Sequence, residues 1–264
     1  MSDRSIRPKP RITPTRFAEQ TVIVTGAGSG IGRATALRVV REGGRVIAVD
    51  IAADRLDSMA DEAADGEPAD GEVIRVAADI TEANGIARVM TAAGDRIDAL
   101  ANVAGIMDDM TPVGEVSDAV WKRVFAVNVD APMMLMRAVI PRMIQQGAGS
   151  VVNVASEAAL RGSAAGAAYT ASKHALVGLT VSSAYMYGPG GIRVNAVAPG
   201  PVRTNIKTTW GSDLGRERVR SSYPIIPPGV DADALATPIA FLLSDEGANI
   251  NGVVLPSDGG WSAA

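Results

Sequence analysis

Apolar, β-branched runs alternate with helical patterns along almost the whole chain. The runs fall at 21–25 (TVIVT), 45–50 (RVIAVD), 73–79 (VIRVAAD), 97–105 (IDALANVAG), 150–156 (SVVNVAS), 192–200 (IRVNAVAPG) and 252–256 (GVVLP), and each predicts a strand. Helical patterns lie between them at 31–42, 53–64, 82–93, 117–146, 166–187 and 231–243. Pro132 and Pro141 fall inside the longest of these and should kink or divide it. Strands that are apolar on both faces and separated by helices call for a parallel sheet covered on both sides. The prediction is an α/β protein: one doubly wound domain over 19–264, with about seven parallel strands and helices on both faces. Residues 1–18 are polar and proline-bearing and read as a poorly ordered arm, either solvated or laid on a neighbouring subunit. The stretch ADGEPADGE reads as a polar loop, and a proline-rich irregular insert at about 203–228 as a cover over a substrate.

The turn after the first strand is glycine-rich: TGAGSGIGRATA, Thr25–Ala36. It opens the first helix, whose N-terminus presents free N–H groups and positive dipole charge to an anion. Gly26, Gly30 and Gly32 would let the backbone approach a pyrophosphate, with Ser29 and Ile31 between them. Asp50 ends the second strand, where a carboxylate can accept hydrogen bonds from both hydroxyls of an adenosine ribose and repel a 2′-phosphate. Neither Ile51 nor Ser29 is basic, so nothing local compensates a 2′-phosphate, and the expected cofactor is NAD. An ordinary turn or helix-capping carboxylate is the structural alternative for Asp50.

Composition narrows the chemistry. The 264 residues are 47% apolar with a net charge of −4, which disfavours nucleic acid or an anionic membrane as partner. There is no cysteine and one histidine, His174, so thiolate catalysis and Cys- or His-cluster metal sites are excluded and no metal is expected. No apolar run of membrane-spanning length and no secretory signal stand out, so the expected compartment is the cytoplasm.

Downstream, AAYTASKHALVGLT carries Tyr169-x-x-x-Lys173, with Ser156 at the end of a predicted strand. Together with Thr25-Gly26-x-x-x-Gly30-x-Gly32, Asp79, Asn102-Val103-Ala104-Gly105, Asn128, Pro199-Gly200-Pro201-Val202-x-Thr204 and Asp258-Gly259-Gly260, the chain resembles the short-chain dehydrogenase/reductase family, from about Thr21 to Trp261. One departure is Val103, where the family's usual motif has a second asparagine. The resemblance implies a Rossmann fold and hydride transfer between a nicotinamide and a secondary alcohol or ketone. It implies that Asp79 with Ile80 meets the adenine and that Asn102, Ala104 and Gly105 pack along the cofactor. It also implies that Pro199 and Gly200 allow close approach, that Val202 meets the carboxamide through its backbone, and that Thr204 lies on the pyrophosphate side. Lys173 would bind the nicotinamide ribose, and Asn128 would hold a water that links Lys173 to bulk solvent.

Tyr169 and Lys173 are i and i+4 and share a helix face. A nearby ammonium should favour the phenolate of a group that is otherwise a poor acid–base at neutral pH. Tyr169 would then exchange a proton with the substrate oxygen, which Ser156 would hold. Glu157, Arg161, Ile106 and Met107 are candidates for the pocket wall, while Trp210, Tyr223 and the arginines 216, 218 and 220 lie in the cover. Two other functions stay open: a 3-oxoacyl-thioester reductase, and a dinucleotide-binding sensor without turnover. The apolar helix APMMLMRAVIPRMI and the continuation of the Tyr169 helix need a second partner, and the family resemblance implies a homotetramer built on them.

Overall fold

The computed structural model describes residues 11–64, 71–206 and 208–264. In chain order the main elements are β1 (Thr21–Thr25), α1 (Gly30–Arg41), β2 (Arg45–Asp50), α2 (Ala53–Ala64), β3 (Glu72–Ala77), α3 (Ala83–Ala93) and β4 (Ala99–Asn102). Then come α4 (Asp118–Phe125), α5 (Ala131–Gln146), β5 (Gly149–Val154), α6 (Ala167–Tyr187), β6 (Ile192–Pro199), β7 (Val202–Arg203), α7 (Asp213–Arg220), β8 (Val230–Asp231), α8 (Ala232–Leu243) and β9 (Val254–Ser257). Among the described residues one seven-stranded sheet runs β3-β2-β1-β4-β5-β6-β9, parallel throughout. The strand order reverses between β1 and β4, and in such sheets ligands bind outside the strand C-termini at that point.

Two apolar layers follow from the strands being buried on both faces. On one, Ala36 and Val39 of α1 and Leu235 and Ile239 of α8 pack against Val22, Val24 and Val152. On the other, Val89 of α3 and Leu135, Val139 and Met143 of α5 pack against Ile23, Leu100 and Val151. The helical stretch Asp118–Gln146 is long and apolar enough, by length and composition, to cross a membrane, contrary to the sequence reading. The apolar side of its α5 portion packs instead against one face of the sheet.

That stretch is divided, as its prolines suggested, but by a π turn at Ala126–Asp130 rather than a break. The Ala131 N–H bonds the Ala126 carbonyl there, and Pro132 has no N–H for the carbonyl of Asn128. The helix continues through Pro141.

The loose arm expected over 1–18 ends earlier than expected. Phe17 is fully buried, and its N–H bonds the Glu42 carbonyl at 2.9 Å. The buried Glu42 carboxylate draws in Arg16 at 3.0 Å, Arg38 at 2.9 Å and the Thr13 N–H at 3.0 Å. Residues 11–18 thus pack on their own subunit, while 1–10 and most of the ADGEPADGE loop lie outside the described residues. The expected irregular insert contains α7, and its neck is closed by the short β7–β8 ladder, Val202↔Val230 and Arg203↔Asp231.

The last strand is held by asparagine side chains before its ladder begins. Asn195 donates to the Ile250 carbonyl at 2.8 Å and accepts from the Val253 N–H at 3.0 Å. Asn251 accepts from the Val194 N–H at 2.9 Å and donates to the Ala184 carbonyl at 3.1 Å.

Candidate active site

A crevice of about 390 Å³ opens beside the C-terminal end of β1, lined by Gly26, Ser29, Gly30, Ile31 and Gly32, by Val103–Met107, and by Arg55 and Thr204–Ile206. Gly26 has φ +67°, a backbone state that side chains disfavour. Gly32 is required by closeness, since a Cβ there would stand 2.2 Å from the Gly26 carbonyl oxygen. Thr25 ties this turn to the next strand by accepting from the Val103 and Ala104 N–H groups at 2.9 and 3.0 Å. Ser29 is the extended cap of α1 but makes no side-chain cap bond, and no acidic residue lies in the first turn. The N–H groups at this helix end are therefore left for an anion, and the cradle fits the pyrophosphate of a dinucleotide.

Asp50 reaches the same turn. Its carboxylate accepts from the Gly28 N–H at 2.9 Å and from the Ala52 N–H at 3.0 Å, which fixes it at the crevice rim. The sequence reading passed over Gly28 and Arg55. Arg55 lines the crevice from the first turn of α2, so the expectation that no basic group stands nearby is corrected. Its distance from the glycine motif along the chain hid it.

The remaining expected cofactor residues divide. Ala104, Gly105 and Thr204 line the crevice. Ile51 is 73% exposed, and Ile80 is buried in the core below the sheet rather than lining the crevice. The Asp79 carboxylate is turned onto Thr81, accepting from its N–H at 2.9 Å and its hydroxyl at 2.6 Å, which holds it below the usual carboxylate range. Asn102 is buried and donates to Asn153 at 2.9 Å; Asn153 donates to Thr180, also at 2.9 Å. Gly200 is pressed against Asp258, whose Cα would lie 2.7 Å from a Cβ there, and so serves the chain's own packing; its neighbour Pro199 is paired in the sheet with Ser257. Val202 packs against the apolar core from β7.

Two of the catalytic candidates, Lys173 and Asn128, meet beside Gly105. A Cβ on that glycine would stand 3.3 Å from both Lys173 Nζ and Asn128 Oδ1. Lys173 is buried, donates to the Val154 carbonyl at 2.9 Å, and lies 5.5 Å from the centre of the Tyr169 ring. Asn128, carried by the π turn, accepts from the Ile106 N–H at 2.9 Å and donates to the Ile106 carbonyl at 3.0 Å and to Ser172 at 3.1 Å. Its amide is thus fully engaged with protein, and a water expected there would fall to its main-chain carbonyl, which Pro132 leaves without the usual donor.

Burial is the largest influence on the ionisation of the pair. It pushes the Tyr169 phenol up to about 12, with the Ser156 hydroxyl pulling down and the Asp108 carboxylate pushing further up. Burial lowers Lys173 to about 8.

Met110, Ala158 and Ala165 form an apolar cluster with Tyr169, joined by Met107 and by Trp210 and Val219 of the insert. Glu157 and Arg161 do not face open space. They pair at 2.8 Å, and Arg161 lies over the Trp261 ring. Desolvation and the Asp258 carboxyl push Glu157 up to about 7.

A doubly wound sheet with an anion cradle at its switch point and a Tyr/Lys pair beside it defines a nicotinamide-dinucleotide oxidoreductase. The family model for short chain dehydrogenases matches residues 20–215, and the chain belongs to that family. It is 40% identical to the short-chain dehydrogenase/reductase cdmF of Talaromyces verruculosus over 265 residues, 92% of this chain and 97% of the relative. Levodione reductase, as a crystal structure, superposes with a TM-score of 0.85 at 35% identity, covering 94% of this chain and 99% of that one. A Beutenbergia cavernae protein described as an NAD(P)-dependent gluconate 5-dehydrogenase, with NADP bound at low occupancy, gives 0.82 at 38% identity, covering 96% and 100%.

Proposed function

We propose that this chain is an NAD(H)-dependent oxidoreductase that interconverts a secondary alcohol and a ketone, with Tyr169 as the acid–base. The observation that carries the reading is the meeting of Lys173 and Asn128 beside Gly105, with the Tyr169 ring 5.5 Å from the Lys173 amine, at the wall of a crevice fitted to a dinucleotide. The cofactor, when bound, supplies or accepts the hydride. Tyr169 gives its proton to the carbonyl oxygen, or takes one from the alcohol, while Ser156 orients that oxygen. Lys173 holds the nicotinamide ribose and, with the main-chain carbonyl of Asn128, passes protons toward solvent. The apolar cluster over Tyr169 favours a carbonyl flanked by apolar groups. The relatives' names point to different small molecules, so they give no single substrate. A thioester reductase has no feature here that favours it, and a sensor would not need the full Ser/Tyr/Lys/Asn set.

Asp50, locked at the crevice rim, supports preference for NAD(H); among the described residues Arg55 is the one lining residue that would favour a 2′-phosphate. Titrating NADH and NADPH against protein fluorescence, followed by a panel of ketones read by loss of NADH absorbance, tests both parts. Tighter binding of NADPH overturns the preference, and no turnover on any ketone or alcohol overturns the activity. We also propose a cytoplasmic homotetramer. On α6, Val181, Tyr185 and Met186 are exposed, Tyr185 by 81%, as a face waiting for a partner would be. Light scattering at micromolar protein checks this, and an active monomer is the outcome against it.

A further inference from the structure

The helix that carries Tyr169 begins without a cap of its own. Its cap position is Gly166, which has no side chain to offer the first N–H groups. The cap comes from another part of the chain. Asp108, in the loop after β4, is 1% exposed. One of its oxygens accepts from the Tyr169 N–H at 2.9 Å. The other accepts from the Gly166 N–H at 3.3 Å and the Met110 N–H at 3.0 Å. All three partners are donors, which is the set an acceptor-only carboxylate satisfies. Among the described residues no arginine or lysine pairs with it, so the helix N-terminus is what its charge faces. The approach is tight: a Cβ on Gly166 would stand 2.5 Å from Asp108 Oδ2.

We propose that Asp108 is a positioning residue for Tyr169: a buried carboxylate that fixes where the Tyr169 main chain enters its helix and ties it to the Ala104–Met107 wall of the crevice. The proposal rests on Tyr169 being the acid–base. The same loop supplies Ile106, clamped by Asn128, so one short segment sets both the crevice wall and the tyrosine. Asp108 also acts on the phenol through space, favouring the protonated form. Lys173 of the same helix also stands near the ring, and Arg220 of α7 is stacked on Trp210, a member of the same apolar cluster.

The test uses the full chain labelled with 13Cζ- and 15N-tyrosine, the Tyr169 signals being assigned from Tyr169→Phe. In Asp108→Asn the phenol should titrate at lower pH than in wild type, and the Tyr169 amide should exchange at least tenfold faster. Asp108→Glu, which keeps the charge, should hold the phenol titration near that of wild type. With cyclohexanol and NAD as probes, kcat of Asp108→Asn should fall about tenfold or more. A folded Asp108→Asn whose phenol titration and amide exchange both match wild type overturns the proposal. So does a wild-type Tyr169 amide that exchanges as fast as an exposed one, whether or not the variants fold. If Tyr169→Phe turns over cyclohexanol normally, the acid–base reading fails, while the two NMR readouts still report on the Asp108 contact.

Discussion

The dinucleotide crevice and the ground around Tyr169 adjoin at one end of the sheet, but they are made by opposite means. From Gly26 to Gly32 the site is made by leaving side chains out, so that backbone N–H groups stand open and α1 can close on the turn after β1, where a Cβ on Gly32 would lie 2.2 Å from the Gly26 carbonyl oxygen. Around Tyr169 it is made by filling space, with an apolar cluster on the ring and buried polar groups paired beside it: Asn128 to Ser172 and Ile106, Lys173 to Val154. The first region selects by shape and dipole and tolerates almost no added atom. The second selects by protonation state and should tolerate isosteric change structurally while losing its chemistry.

Tyr169→Phe should break the second region with the largest effect. It keeps the ring in the apolar cluster and removes only the hydroxyl, so kcat should fall by about 100-fold or more, as for loss of a general acid–base, with NADH affinity and melting temperature near wild type. Steady-state kinetics beside a fluorescence titration would check it. Gly32→Ala should break the first region in the opposite sense. The new Cβ meets a backbone oxygen that cannot step aside, so a backbone shift costing roughly 1–3 kcal/mol is expected. NADH affinity should then drop about tenfold or more, together with thermal stability.

A smaller effect sharpens the contrast through Glu157. Its folded-state value of about 7 lies above the ordinary 4.5, so between those values the folded protein keeps a proton that the unfolded chain has released. That contribution to stability is fully present below 4.5, falls as pH rises through the window, and levels off above about 7. Wild type should therefore lose melting temperature relative to Glu157→Gln between pH 4.5 and 7, measured by calorimetry.

Much of this could be read from the chain because it is encoded locally. The alternation of apolar runs and helices gave the sheet, and the glycine spacing and Tyr-x-x-x-Lys lie within single turns. What stayed hidden depends on contacts between distant segments. Asp108 shows its purpose only once the loop after β4 meets the start of α6. Arg55 enters the crevice by the geometry of α2. Phe17 is buried because Glu42, far along the chain, gathers Arg16 and Arg38. Spacing reports a neighbouring charge but not the loss of water around both groups, which raises Tyr169 and lowers Lys173.

The asparagine-held β9 strand has a consequence during synthesis. Every residue placed here in the crevice or around Tyr169 leaves the ribosome before β9, yet until β9 docks, the Ala196–Pro199 stretch of β6 has no partner on that side. An unpaired edge of buried, apolar strand is a template for other chains. A chain nicked or truncated before Gly252 would carry all of its chemistry and still be expected to precipitate rather than work.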